Sequence, residues 1–94
     1  MAEGRTVEMP VPPEQAYQMV AAAMARIGRD EESNPTTRSL VGKARYGLNP
    51  VRLRISVLSG AQQGTAVLQI GGKGQDVWGA TPRKVIDKLL AAIG

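Results

Sequence analysis

The sequence predicts an α+β domain. It is a two-layer sandwich in which an antiparallel four- or five-stranded sheet carries two helices on one face, in the order β-α-β-β-β-β-α. Three observations lead there. Two stretches repeat their apolar residues at helical spacing, and four alternate apolar and polar residues with period two. Short turn signals built on Gly, Pro and Asn separate them. An amphipathic sheet and two amphipathic helices bury their apolar surfaces most simply against one another in two layers. The 94 residues suffice for a single domain, 1–94.

The elements follow in chain order. From Thr6 to Val11, Val7, Met9 and Val11 share one face and Thr6 and Glu8 the other, as in a half-buried strand. Pro12-Pro13 ends that strand and suits the first turn of a helix. Tyr17, Val20, Met24 and Ile27, with Ala16 and Ala23, form one helical stripe, and Gly28 stands where a left-handed C-terminal residue closes a helix. Arg29 to Ser33 reads as a charged edge strand or a polar loop. Asn34-Pro35-Thr36 is a turn. Arg38–Tyr46 and Val51–Val57 are strands on either side of the turn Gly47–Pro50, and Thr65–Ile70 is the last strand. Thr81 as N-cap and Pro82 at the first helical position open a final helix with Val85, Ile86, Leu89, Leu90 and Ile93 on its apolar face.

Composition removes whole classes of chemistry. The chain has no cysteine, so it has no disulfide or thiolate metal site, and a small domain without such staples suits the cytoplasm. It has no histidine, the commonest general base and neutral metal ligand. No catalysis, metal or cofactor is expected. Asp30-Glu31-Glu32 is the acidic cluster, and without further converging carboxylates it reads as a solvated edge. The start has no signal-peptide pattern, and the apolar run Met19–Ala25 is too short to span a bilayer, so no membrane insertion is expected. The net charge of +4 permits an acidic partner without requiring one.

The stretch 71–84, GGKGQDVWGATPRK, tests for a phosphate loop. Gly74 to Thr81 has the GxxxxGK[ST] spacing, but Ala80 stands where the phosphate-reaching lysine is needed. A dinucleotide fingerprint fails at Val77. The glycines read better as punctuation: Gly71 and Gly72 end a strand, and Gly74 turns the chain at positive φ. A helix start with Thr81, Arg83 and Lys84 remains a candidate anion site.

A hairpin closed by Gly47–Pro50 would set Tyr46 opposite Val51, Arg45 opposite Arg52 and Lys43 opposite Arg54. The same pairing sets Ala44, Gly42 and Leu40 against Leu53, Ile55 and Val57. Apolar residues then share one face, while Lys43, Arg45, Arg52 and Arg54 share the other. Like charges directly opposite one another cost roughly 0.2–1 kcal/mol per pair. Offsetting acids on that face would be Asp30, Glu32 and Glu8. Otherwise the face offers a site for a polyanion or a protein partner. Nucleic acid is the weaker of these expectations, because the face lacks the aromatic platforms on which single-stranded bases stack. A protein partner or a homodimer through the uncovered face or a sheet edge is the leading expectation. A third candidate is a small apolar ligand between helix and sheet, in a gap lined by Tyr17, Met24 and Trp78.

The opening MPVPPEQAYQMVAAAMARIG, the strands LVGKARYG and VRLRISV, and the ending DVWGATPRKVIDKLLAAIG together resemble a type of small bacterial β-α-β-β-β-β-α domain of uncharacterised function. The opening is also similar to the start of helix-grip (START/Bet v 1-like) ligand-binding domains. Those are longer and close around a cavity; this chain lacks their extra strands, so a cavity of that kind would need two chains to pair. Neither resemblance supplies a catalytic residue.

Overall fold

The computed structural model describes the backbone of residues 2–46, 49–74 and 80–93, and the side chains of 4–45, 50–74 and 82–93. Its elements are β1 (Ala2–Met9), α1 (Pro13–Ile27), β2 (Gly28–Asn34), β3 (Ser39–Tyr46), β4 (Asn49–Ser59), β5 (Ala66–Gly74) and α2 (Ala80–Ile93). All strand pairs are antiparallel, in the order β1-β5-β4-β3-β2. Both helices cover one face of this open sheet, and they also pack against each other. The expected architecture is the observed one, with five strands.

Alternation decides which face is covered. Along β5, Ala66, Leu68, Ile70 and Gly72 point inward and are buried, while Gln69 and Lys73 point outward and are exposed. In β4, Val51, Leu53, Ile55 and Val57 lie beneath the helices. From above, α1 contributes Ala16, Val20, Ala23 and Met24, and α2 contributes Val85, Ile86 and Leu89, so the core is aliphatic. Each fully buried Leu, Ile or Val is worth about 1.5–3 kcal/mol of transfer free energy before ordering entropy is subtracted.

Several boundaries differ from expectation, each for a local reason. β1 begins at Ala2 and ends at Met9, because its pairing with β5 runs on from Met9↔Ala66 to Ala2↔Lys73. β5 continues through Gly71 and Gly72, which are held by strands on both sides, to Gly74, which pairs with Val51, so Gly71 and Gly72 do not end it. Among the described residues the positive-φ glycine is Gly64, not Gly74. Helix α2 starts at Ala80, which puts Thr81 inside the first turn rather than before it. Gly28 is not a left-handed cap: its φ of −169° is extended, and the chain passes from α1 straight into β2. Glycine is needed there because a Cβ would lie 2.1 Å from the Lys43 carbonyl oxygen.

The β3–β4 register is shifted by two residues from the expected one. Ala44 faces Val51, Gly42 faces Leu53, Leu40 faces Ile55, and Arg45 faces Pro50. Tyr46 pairs with Asn49, so Asn49 and Pro50 belong to β4 rather than to a turn. An even shift leaves every side chain on its expected face and changes only its neighbours.

Candidate functional site

The corrected register rearranges the cations. Arg29, Lys43, Arg52 and Lys73 stand directly opposite one another on β2, β3, β4 and β5. At about 4.8 Å between strands this row spans roughly 14 Å of the outer face. Arg54 lies two residues along β4, opposite Gly71 and Val41, and Arg45 stands opposite Pro50. The four cations expected on the outer face are there, but Lys43 opposes Arg52 rather than Arg54, and Arg45 does not oppose Arg52.

The acids fall differently too. A register shift between Asp30 and Glu32 puts Asp30 opposite Gly42, in a row that faces the helices, and Glu32 opposite Val41 on the outer face. The intervening Glu31 makes the ion pair with the row, its Oε1 lying 3.4 Å from Arg52 Nη2. Glu8 is on the outer face opposite Val67, at the end of the sheet away from the row. Thus Glu31 takes the role expected of Asp30, because the bulge rotates the strand between them. With the Arg52 side chain 60% exposed, this pair is worth at most about 1 kcal/mol.

A recess lies at the corner of the same end. β2 begins at Gly28, opposite Ala44, so β3 outruns it by two residues. This leaves a recess of about 590 Å³ among Ile27, Gly28, Arg29, Lys43, Ala44, Arg45 and Lys88. Its apolar part is Ile27, Gly28 and Ala44. Four cations, from β2, β3 and α2, line the rest, and among the described residues no carboxylate lines it. Its volume falls in the range typical of small-molecule sites. Lys43 also lines a smaller concavity of about 350 Å³ on the outer face, with Pro50, Arg52, Lys73 and Gly74.

Of the apolar gap expected between helix and sheet, the described part around Met24 is closely packed. Met24 has no exposed surface. A Cβ on Gly42 would lie 2.7 Å from the Met24 sulfur, so this side chain rests on the bare backbone of β3. On the α2 side, Leu53, Pro82 and Ile86 close over Gly72. Tyr17 is half-buried and its hydroxyl donates to the Ser39 carbonyl at 3.5 Å. It borders a different, outward-facing recess of about 330 Å³ with Glu14, Gln18, Pro35 and Arg38. Met24 does not line this recess. Trp78 lies outside the described residues, as does the Thr81 side chain. Arg83 and Lys84 are exposed on the first turn of α2.

Among the described residues, no group of three acids, histidines or cysteines could hold a metal ion. No helix among them is long and apolar enough to cross a membrane. The exposed large hydrophobic residue on record there is Leu58, opposite Val67 on the outer face. Single exposed apolar residues are ordinary on soluble surfaces.

Sequence reasoning missed Arg29, Lys73 and Lys88 as members of the cationic end. For Lys73 a signal was present: Val67, Gln69, Gly71 and Lys73 keep the outward phase of β5 through the glycine pair. Lys88 has no such signal, since only the packing of α2 brings it beside β3.

No protein-family model and no curated protein matches the chain by sequence. Solved structures do match in fold. The di-domain ARO/CYC BexL from the BE-7585A biosynthetic pathway aligns with a TM-score of 0.67 at 14% identity, over 99% of this chain and 45% of that one. The chain thus spans under half the length of that protein. A protein from Thermobifida fusca aligns with a TM-score of 0.62 at 12% identity, over 98% and 84% of the two chains. A START superfamily protein from Mycobacterium smegmatis aligns with a TM-score of 0.54 at 12% identity, over 98% and 93%. At these identities the likeness is one of fold, and it agrees with the helix-grip resemblance of the opening.

Proposed function

We propose that the chain is a non-catalytic binding module. Its ligand is a small amphipathic acid, taken in the recess where β3 outruns β2. The carrying observation is the lining of that recess: Ile27, Gly28 and Ala44 offer an apolar floor, and Arg29, Lys43, Arg45 and Lys88 offer positive charge from three elements, with no acid among the described lining residues. An apolar body can lie against the floor while a carboxylate meets the rim. The fold likeness to a START superfamily protein and to an ARO/CYC protein supports a ligand between helix layer and sheet. The close packing around Met24 favours the mouth of that space over its centre. The absence of histidine and cysteine supports binding without catalysis.

Self-association through the uncovered face or an edge is the competing reading. The open edges β1 and β2 favour it. Against it stands the charge, because two copies joined face to face must desolvate the cation row of each.

Calorimetry with decanoate and with decanol tests the ligand reading. Decanoate is expected to bind saturably and decanol much more weakly. Lys88→Met and Arg45→Met should each weaken decanoate about threefold to tenfold, the range for one charged contact at a partly exposed site. Equal binding of acid and alcohol, or no effect of either variant, would contradict it.

A further inference from the structure

The outer face carries a second depression whose chemistry differs from that of the recess. It measures about 420 Å³ and is lined by Thr6, Arg54, Ser56 and Gln69 around Gly4 and Gly71, together with Arg5 and Ile70, whose register positions face the helices. The rows explain its shape. Gly4 pairs with Gly71, which pairs with Arg54. One row away from the cationic end, Thr6 pairs with Gln69, which pairs with Ser56. One row toward that end, Arg52 pairs with Lys73. Two residues along a strand advance about 6.6–6.8 Å, so bare backbone separates a row of neutral hydrogen-bonding groups from a pair of cations by that step on each side.

The bare floor is not imposed by packing. A Cβ on Gly4 would meet nothing closer than the Ile70 carbonyl oxygen at 3.8 Å, and one on Gly71 nothing closer than the Arg54 carbonyl oxygen at 3.9 Å. Both are ordinary contacts, and neither glycine has a positive φ. Glycine inside a strand weakens it, and it also marks places where a ligand approaches the backbone closely.

We infer that this face binds a nucleotide unit, meaning a planar polar ring with a phosphate. The ring lies flat on the backbone at Gly4 and Gly71, where an aromatic platform would otherwise be needed. The Gln69 amide both donates and accepts at its edge, and the Thr6 and Ser56 hydroxyls serve as either. Arg54 flanks the ring. The phosphate lies one row on, at Lys73 and Arg52, where the adjoining concavity also brings Lys43. Arg52 keeps Glu31 as a neighbour, which leaves Lys73 the principal cation.

The test is an amide NMR titration of the chain with each of the four ribonucleoside 5′-monophosphates, with the matching nucleosides, and with inorganic phosphate. At least one monophosphate is expected to shift residues 4–6, 54–56 and 69–73 saturably, and to bind at least tenfold tighter than its nucleoside or phosphate alone. Gly71→Val fills the floor from a Cβ that makes only an ordinary contact, and it should keep the folded spectrum while weakening binding at least tenfold. Arg54→Gln should weaken it severalfold. The inference is overturned if no monophosphate shifts these residues, if phosphate alone binds equally well, or if Gly71→Val binds like the parent. The recess is read at residues 27–29, 44–45 and 88, so failure at one site is distinguishable from failure at the other.

Discussion

At Gly28 the chain leaves α1 and enters β2 without a loop, and the first residue of the strand sits against the Lys43 carbonyl. Any side chain there collides with backbone, which cannot move without losing the β2–β3 pairing. Gly28→Ala should therefore cost about 3 kcal/mol, at the upper end for overpacking, and a urea unfolding midpoint reads it directly. Gly71 lies at the other extreme. Its added methyl makes only an ordinary contact, 3.9 Å from the Arg54 carbonyl oxygen, so Gly71→Ala should raise stability by about 0.5–1 kcal/mol in the same measurement. The Arg52–Glu31 pair belongs to a third class. It is exposed and solvent-screened, and Glu31→Gln should change stability by less than about 1 kcal/mol.

Among the elements, α1 and β3 share a mutual fit: Met24 fills the space that Gly42 leaves empty. Truncation as Met24→Ala would leave that space unfilled, at an expected cost of about 2–5 kcal/mol. The flexible thioether adapts to a narrow space over bare backbone, which explains why this position reads as core rather than as the wall of a ligand gap. The β3–β4 hairpin marks what was legible in the sequence. Leu40, Gly42 and Ala44, with Val51, Leu53, Ile55 and Val57, identify the buried face unambiguously, because alternation fixes parity. Parity leaves register open to shifts of two. Here Pro50 suggested a turn but is seated in β4 opposite Arg45, and the pairing moved with it. Strand β2 was ambiguous for a related reason: all seven of its residues are exposed, so no apolar phase reports it. The cationic residues of β3 and β4 were visible in the sequence. The recess was not, because it depends on β3 outrunning β2 and on Lys88 arriving from a helix more than forty positions later.

Across the whole molecule, the cations of the sheet gather at the end that holds the corner recess. The net charge of +4 is modest, yet Arg29, Lys43, Arg45, Arg52, Lys73 and Lys88 gather near one end of the sheet, while the outer rows at the other end carry Glu8 and neutral side chains. Arg5, whose register position faces the helices, is instead paired with Asp87 of α2 and ties β1 to that helix. Such a distribution attracts anions to one end, and their binding should weaken as salt rises. Occupation of the corner recess by an amphipathic acid is read by an amide NMR titration with decanoate at low salt. Saturable shifts are expected at residues 27–29, 43–45 and 88, with residues 4–6 and 69–71 unmoved. Shifts spread along the whole outer face, or none in the recess, would contradict it.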